Sequence, residues 1–380
     1  MLGEEFEIRK MKVLIAPNSM KGSLSAFDFA DIVAKAFHAV SPDFEMKKIP
    51  VADGGDFTRE VLSDNLQATK VEVEVHDPLG KKIQSNYSVS GTTAVIEMAD
   101  ASGMKLLQAN ELNPMLTSSF GTGELVRHAI ESGCNEIYLA VGGSATVDGG
   151  LGMMKALGFG LLDDKMNELH GSGQDLVHLK SIRKSNLLDN VRIKIICDVD
   201  NPLLGSNGAA RVFGPQKGAD SEMVEILENG LKNLAELLKK ETGKDLRNIS
   251  GAGAAGGISL PLLAFDQAEI VKGADFVCEK LDLENWIRWA DIVITGEGKI
   301  DQQTLNNKAP YAVAKLARKN KRPVLAVGGK VESEASSAFD GIFSLVNGPV
   351  ALEDAMNNAG VYLYQTSYEL AKLIKRMKDE

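Results

Sequence analysis

Five short apolar runs in this chain are each followed by a cluster of polar or glycine residues that could do chemistry. KVLIA is followed by Asn18, Ser19 and Lys21, and KKIPV by Asp53, Gly54 and Gly55. YLAVGG opens the loop GGSATVDGG, residues 142–150, with Gly142, Gly143, Ser144, Ala145, Thr146, Asp148, Gly149 and Gly150. IKIIC carries Asp198 and Asp200, and IVITGEG carries Glu297 with Lys299 and Asp301 behind it. Glycine lets backbone N–H groups approach an anion, and a following helix adds its N-terminal partial charge. The 142–150 loop is therefore the leading phosphate candidate, and GAGAAGG, residues 251–257, with Gly253, Gly256 and Gly257, is the second. Each is equally a tight, closely packed turn. Lys21 can meet a carboxylate or a transferring phosphoryl group as a point charge. A strand-end aspartate such as Asp198 can accept a hydroxyl proton or bind Mg²⁺. Asp53 has the same two roles open, besides a helix N-cap.

Weaker candidates surround these. GAARVFGPQKGA, residues 208–219, reads as a Gly/Pro-rich loop that brings Arg211 and Lys217 over an anionic ligand as a lid. GTGEL, with Gly121 and Thr122, reads as a helix start capped by Thr122, with substrate contact as the alternative. The five histidines show no HxxxH or HExxH spacing and read as surface or packing residues. Trp286 and Trp289, one helical turn apart, read as packing. No Walker A loop, nucleophile elbow or Ser-His-Asp order is present.

These loops need a parallel sheet to carry them. Ser25 as N-cap with Asp28 behind it, and apolar residues at 26, 29, 30, 33, 36, 37 and 40, predict a helix after the first strand. A second strand and helix follow, and the same alternation returns near residue 285. Between them, KVEVEVHD, KIQSNYSVS and TTAVIEM read as an antiparallel meander. The expected fold is α/β: a doubly wound parallel-sheet domain from residues 11–68 and 285–380, and an inserted mixed α/β domain at 69–284. Residues 1–10 read as a polar extension.

Composition narrows the function classes. The 380 residues carry 42 Lys+Arg against 52 Asp+Glu, a net charge of −10, which disfavours nucleic acid and anionic lipid as partners. No run of 18 apolar residues and no signal-peptide pattern occurs, and three dispersed cysteines, Cys134, Cys197 and Cys278, read as reduced thiols of a cytoplasmic protein.

Together the segments APNSMKGSLSA, VADGGDFT, SSFGTGEL, GGSATVDGG with LGMMKALG, CDVDNPLLGSNGAARVFGPQKGA, GAGAAGG and VITGEGKIDQQT resemble the type 1 glycerate kinase family over about residues 11–375. The resemblance implies two α/β domains, one of them flavodoxin-like and discontinuous, with the active site in the cleft between them, ATP and Mg²⁺ as cofactors, and phosphorylation of D-glycerate, with 2-phosphoglycerate favoured over the 3-isomer; a homodimer is compatible with it. In that frame Asp198, Lys21 and Asp53 are the catalytic candidates, with Asp198 the leading base and Asp53 the leading Mg²⁺ ligand, the two roles being exchangeable. Ser19, Lys21, Gly54, Gly55, Gly121, Thr122, Arg211 and Lys217 are the substrate-binding set. The two glycine loops and Glu297 form the nucleotide set. Four positions depart from the family pattern: Asn18 for Asp, Val147 for Asn, Asp56 for Glu and Asn307 for Gly. A nicotinamide-dependent reductase of a small hydroxy acid and a non-catalytic glycerate-binding sensor are the alternatives. The reductase calls for a GxGxxG loop with an acidic residue about 20 positions on, and neither follows KVLIAPNS.

Overall fold

The structure, a computed structural model, describes residues 10–55, 57–305 and 308–378. The N-terminal segment 1–9, Asp56 and Asn307 therefore lie outside the described residues. The chain forms two compact units, residues 1–53 with 274–380, and residues 54–273.

The first unit opens with β1 (Met11–Ile15), α1 (Ala26–Val40) and β2 (Phe44–Lys48). Ser25 caps α1 by accepting the Asp28 N–H, and the Phe29, Ala30, Val33 and Phe37 stripe is buried. The chain then enters the second unit. There α2 (Thr58–Leu66) precedes β3 (Thr69–His76), β4 (Lys82–Ser90) and β5 (Thr93–Glu97). Next come α3 (Ala99–Ser102), α4 (Phe120–Glu131), β6 (Glu136–Ala140) and α5 (Leu151–Ala156). A small antiparallel pair, β7 (Gly160–Leu162) and β8 (Ser181–Arg183), leads to β9 (Arg192–Cys197). The unit closes with α6 (Ala209–Phe213), α7 (Ser221–Thr242), α8 (Ser259–Ala264) and β10 (Ala268–Lys272).

The first unit resumes at Ala274, within α9 (Gly273–Lys280), and continues with α10 (Leu283–Trp289), β11 (Ile292–Ile300), α11 (Ala309–Lys319), β12 (Val324–Val331) and β13 (Gly341–Ser344). Helices α12 (Leu352–Asn357) and α13 (Ala359–Lys378) end it. Its sheet is wholly parallel, in the order β13-β12-β11-β1-β2. Read along the chain, that is the 2-1-3-4-5 order of a flavodoxin-like sheet. Phe29, Val33 and Phe37 of α1 and Leu363, Leu370 and Ile374 of α13 cover one core with Val13, Ile15 and Ile294.

The second unit holds a six-stranded mixed sheet, β10-β9-β6-β5-β4-β3. The predicted meander is its antiparallel edge, β3-β4-β5, and β5, β6, β9 and β10 continue it in parallel. Its core is larger and includes Ile96, Leu139, Ile195, Leu151, Leu231 and Leu234.

The division falls elsewhere than residues 68 and 284. Residues 54–68 belong to the second unit because α2 is tied to it: the Arg59 N–H donates to Glu97 at 2.8 Å, its guanidinium to Asp100 at 3.3 Å, and the Gly142 N–H to the Gly54 carbonyl at 3.4 Å. Residues 274–284 belong to the first unit, where Lys315 pairs with Asp275 at 2.9 Å and Lys319 with Glu284 at 3.1 Å. The histidines are surface or packing residues, His38, His170 and His178 being exposed, and the half-buried tryptophans pack on each other. Tyr87 and His128 share a 2.9 Å hydrogen bond, His76 Nδ1 meets Glu124, and the two indoles meet edge to face at 5.9 Å. His76 ends β3.

Candidate active site

The second unit contains a pocket of about 180 Å³ at the C-terminal ends of β6 and β9. Gly142, Gly143 and Ser144 form one side, and Cys197, Asp198 and Val199 another. Gly54, Gly55, Lys217, Ala254 and Ala255 also line it. Asp198 reaches the pocket because the buried run Ile195–Cys197 carries it to the strand end.

Lys217 is 2% exposed, which is unusual for lysine. Its ammonium donates to Ser144 Oγ at 2.8 Å and to the Thr146 carbonyl at 2.7 Å. Burial pushes its pKa down to about 7, and the Asp148 charge opposes the fall only in part. The segment around it is not a Gly/Pro-rich loop. Residues 209–213 are helical, Pro215–Lys217 form a 3₁₀ turn, and Gly218, at φ +94°, turns the chain against the Leu112 carbonyl. Arg211 is also not a lid residue: on α6 its guanidinium forks onto Glu225 at 2.6 and 2.9 Å, and it does not line the pocket.

The glycine loops divide between lining and packing. Asp148 is fully buried and accepts from the Ser119 N–H and hydroxyl, both at 2.7 Å, and from the Gly150 and Gly152 N–H groups at 3.0 and 3.3 Å. Burial lifts its carboxyl above the ordinary range against the pull of these donors. Gly149 donates to the Gly256 carbonyl, and a Cβ on Gly256 would come within 2.2 Å of the Thr146 carbonyl. A Cβ on Gly253 would meet the Pro202 carbonyl at the same distance, and one on Gly257 would meet Leu203. So Ala145, Asp148, Gly149, Gly150, Gly253, Gly256 and Gly257 shape the backbone of the site without lining it. Of the three alanines of GAGAAGG, the adjacent pair Ala254 and Ala255 do line it. Val147 is buried in the core, so its side chain takes nothing polar from the pocket.

Gly121 and Thr122 are also packing positions. Ser119, not Thr122, is the residue before α4; Thr122 lies inside the helix and donates to Ser102 Oγ at 2.8 Å. A Cβ on Gly121 would strike the His76 carbonyl.

The first unit has its own cavity, of about 510 Å³, at the C-terminal ends of β1, β11 and β12. Ser19 and Lys21 line it, together with Glu297. Glu297 is 6% exposed and accepts from Thr304 Oγ1 at 2.7 Å, with Lys308 Nζ at 3.9 Å. Burial pushes its pKa up to about 7, with Asp53 and Asp301 adding to the rise and Lys308 and Thr304 opposing it. Asp53 lines neither cavity. It accepts from the Asn18 amide at 3.2 Å, while Asn18 Oδ1 accepts from the Ser19 N–H at 2.8 Å. Asn18 thus holds the loop and its neighbouring carboxylate, a role that needs an amide and not a second acid.

Residues 13–375 match the model of the glycerate kinase family. The chain belongs to the glycerate kinase family. It is an enzyme, a kinase, and uses ATP. It is 42% identical to a glycerate kinase from Bacillus subtilis (strain 168), over 97% of this chain and 99% of that one. It is 41% identical to a glycerate 2-kinase from Escherichia coli (strain K12), covering 95% and 97%. A crystal structure assigned to glycerate kinase 2 of Salmonella typhimurium LT2 superposes with a TM-score of 0.87 at 40% identity, covering 98% of this chain and 100% of that one. Membership of this kinase family displaces the reductase and the sensor. Among the described residues no helix is long and apolar enough to cross a membrane.

Several residues of the kinase's cavities were not singled out in the sequence. Met104, Phe213 and Gln216 line the smaller one, and Lys308 and Lys330 the larger. Lys330 closes the apolar run VLAVGG of β12, a strand-end position of the same kind as Asp198. That pattern alone could have marked it.

Proposed function

We propose that the protein transfers the γ-phosphoryl group of ATP to a hydroxyl of D-glycerate, giving 2-phosphoglycerate. The observation that carries this reading is the 180 Å³ pocket in which a buried lysine, Lys217, and a strand-end carboxylate, Asp198, meet glycine backbone. A small hydroxy acid needs that set: a cation for its carboxylate and a base for its hydroxyl. The product isomer follows the E. coli relative, which is called a glycerate 2-kinase.

Asp198 accepts the hydroxyl proton as the oxygen attacks phosphorus. The bond from phosphorus to the bridging oxygen breaks, and ADP leaves with that electron pair. Such transfer depends on positioning and charge neutralisation. Lys217 holds the glycerate carboxylate, and the Gly142–Ser144 backbone borders the reacting group. We propose further that Lys21 neutralises phosphate charge and that Glu297 is a third carboxylate at the nucleotide.

Mg²⁺ is usually held by one or two carboxylates plus substrate phosphates. Among the described residues no three His, Cys, Asp or Glu side chains gather into a metal cage. The donor chemistry therefore fits an ion that arrives with the nucleotide, with Asp53 or Asp198 as its protein ligand, to neutralise phosphate charge. A cytoplasmic location is part of the same proposal, supported by three buried, unbridged cysteines.

Coupled measurement of ADP release tests the reading. ADP should appear with D-glycerate and ATP together, and glycolate, which lacks the hydroxymethyl group on carbon 2, should be a poor acceptor. No ADP release with D-glycerate would overturn it.

A further inference from the structure

We infer that the cavity of the first unit is the nucleotide site, the base lying on its apolar wall and the phosphates on its lysines. The inference rests on the phosphoryl-transfer reading and assigns each reactant to its own cavity. In an open parallel sheet, ligands bind outside the carboxyl ends of the strands where the winding direction reverses. Here β2 lies on one side of β1, and β11, β12 and β13 on the other, so the reversal falls between β1 and β11. The cavity is lined by the residues that follow β1 and by the end of β11, which places it at that point.

Size separates the two sites. Pockets for ligands of nucleotide size run about 300–1,000 Å³. The first unit's cavity, at about 510 Å³, falls in that range, and the second unit's, at about 180 Å³, falls below it. A third cavity of about 700 Å³ opens at the opposite, N-terminal edge of the same sheet, beside Met11 and Ile292, where the switch-point rule places no ligand.

Chemistry agrees with size. Four lysines line the cavity: Lys21, Lys299, Lys308 and Lys330. Lys299 is paired with the buried Asp301 at 2.5 Å and Lys330 with Glu332 at 2.9 Å, and both lysine side chains are exposed, within reach of a polyphosphate. Opposite in character are Met20, Leu352, Ala355 and Met356, an apolar surface that glycerate could not use and a purine could. That wall is anchored: Ser23 Oγ donates to the Met356 carbonyl at 2.7 Å, and a Cβ on Gly22 would press Met356 Cε at 2.9 Å.

The test is calorimetric titration of the full chain with ATP and, separately, with D-glycerate, comparing wild type with Ala355→Trp and Lys330→Ala. Each variant should weaken ATP by about tenfold or more while D-glycerate stays within about twofold. Weakened D-glycerate with unchanged ATP, or no change in either, overturns the assignment. Should Ala355→Trp fail to fold, Lys330→Ala and photolabelling of the wild type with 8-azido-ATP carry the test. The label should fall within residues 345–359, and a label confined to residues 198–217 overturns it. Failure of the wild type to bind ATP would overturn the kinase reading itself, an outcome distinct from misassignment of the cavity.

Discussion

The side-chain nitrogen of Lys217 lies 2.8 Å from Ser144 Oγ, across 73 residues of sequence, and this one hydrogen bond joins the 3₁₀ turn after α6 to the glycine loop after β6. A second bond to the Thr146 carbonyl fixes the ammonium at the wall of the small pocket. The lysine is thus both a brace and a buried cation awaiting an anion.

Replacing Lys217 by Met separates those roles. Hydrogen bonds to charged groups contribute roughly 1.5–3 kcal/mol, so KM for D-glycerate should rise about 10- to 100-fold. Thermal stability should change little, because an apolar side chain of similar length removes a buried charge. A large loss of Tm with unaltered KM would make the residue a brace alone.

Proton linkage gives an independent reading of the same group. Its pKa in the folded, ligand-free chain is about 7, lowered from 10.5. At pH 8 the amine is therefore largely neutral, and an anionic ligand beside it favours the charged form. D-glycerate binding should take up a proton at pH 8 and none near pH 5.5, and affinity should fall as pH rises past 7. Titrations in buffers of different ionisation enthalpy report this uptake directly.

Asp198→Asn keeps the shape of the pocket and removes the base. Turnover should fall by at least ~10²-fold, the low end for general-base catalysis, with KM less affected. Near-normal kcat would exclude Asp198 from proton transfer.

Glu297 makes stability depend on pH in the opposite sense to a salt-bridged acid. Its folded pKa is about 7 against an ordinary 4.5, so between those values the folded chain holds a proton that the unfolded chain releases. Stability contributed by this group is full below pH 4.5 and is lost as pH rises through 7. Glu97, buried and likewise raised to about 7, adds to the same slope. Glu297→Gln should flatten the fall in Tm across pH 4.5–7, and an unchanged slope would show the group ionised throughout.

Asp148 is predicted to be structural. Its carboxylate satisfies four donors from Ser119, Gly150 and Gly152, and Asp148→Ala leaves them buried without it. The loss should be at least about 3 kcal/mol, read as a lowered midpoint in urea. A stable Asp148→Ala protein with impaired ATP binding would return this residue to the ligand.

These outcomes mark where sequence patterns stop. The α1 cap and stripe, the strand-end placement of Asp198 and the parallel sheet were legible because periodicity and capping are local properties. The glycines were ambiguous because a close backbone approach looks the same in sequence whether a ligand or another segment makes it. Gly149 and Gly256 face each other, and only three residues of the 142–150 loop reach the cavity. The short helix at 209–213 was hidden by flanking glycines that terminate it. Lys299, Lys308 and Lys330 were invisible as a set because two strand ends and a helix start, far apart in sequence, bring them together. Lys217 was legible as a cation near an anion site, but its burial depends on tertiary packing alone.

The central claim, phosphoryl transfer to D-glycerate, is tested most directly by phosphorus NMR of a mixture of the protein, D-glycerate, ATP and Mg²⁺. The account predicts loss of the ATP γ signal with growth of a phosphomonoester resonance split into a doublet by the single proton on carbon 2. A triplet would move the reaction to the 3-hydroxyl. Inorganic phosphate alone, or an unchanged ATP spectrum, would contradict the account.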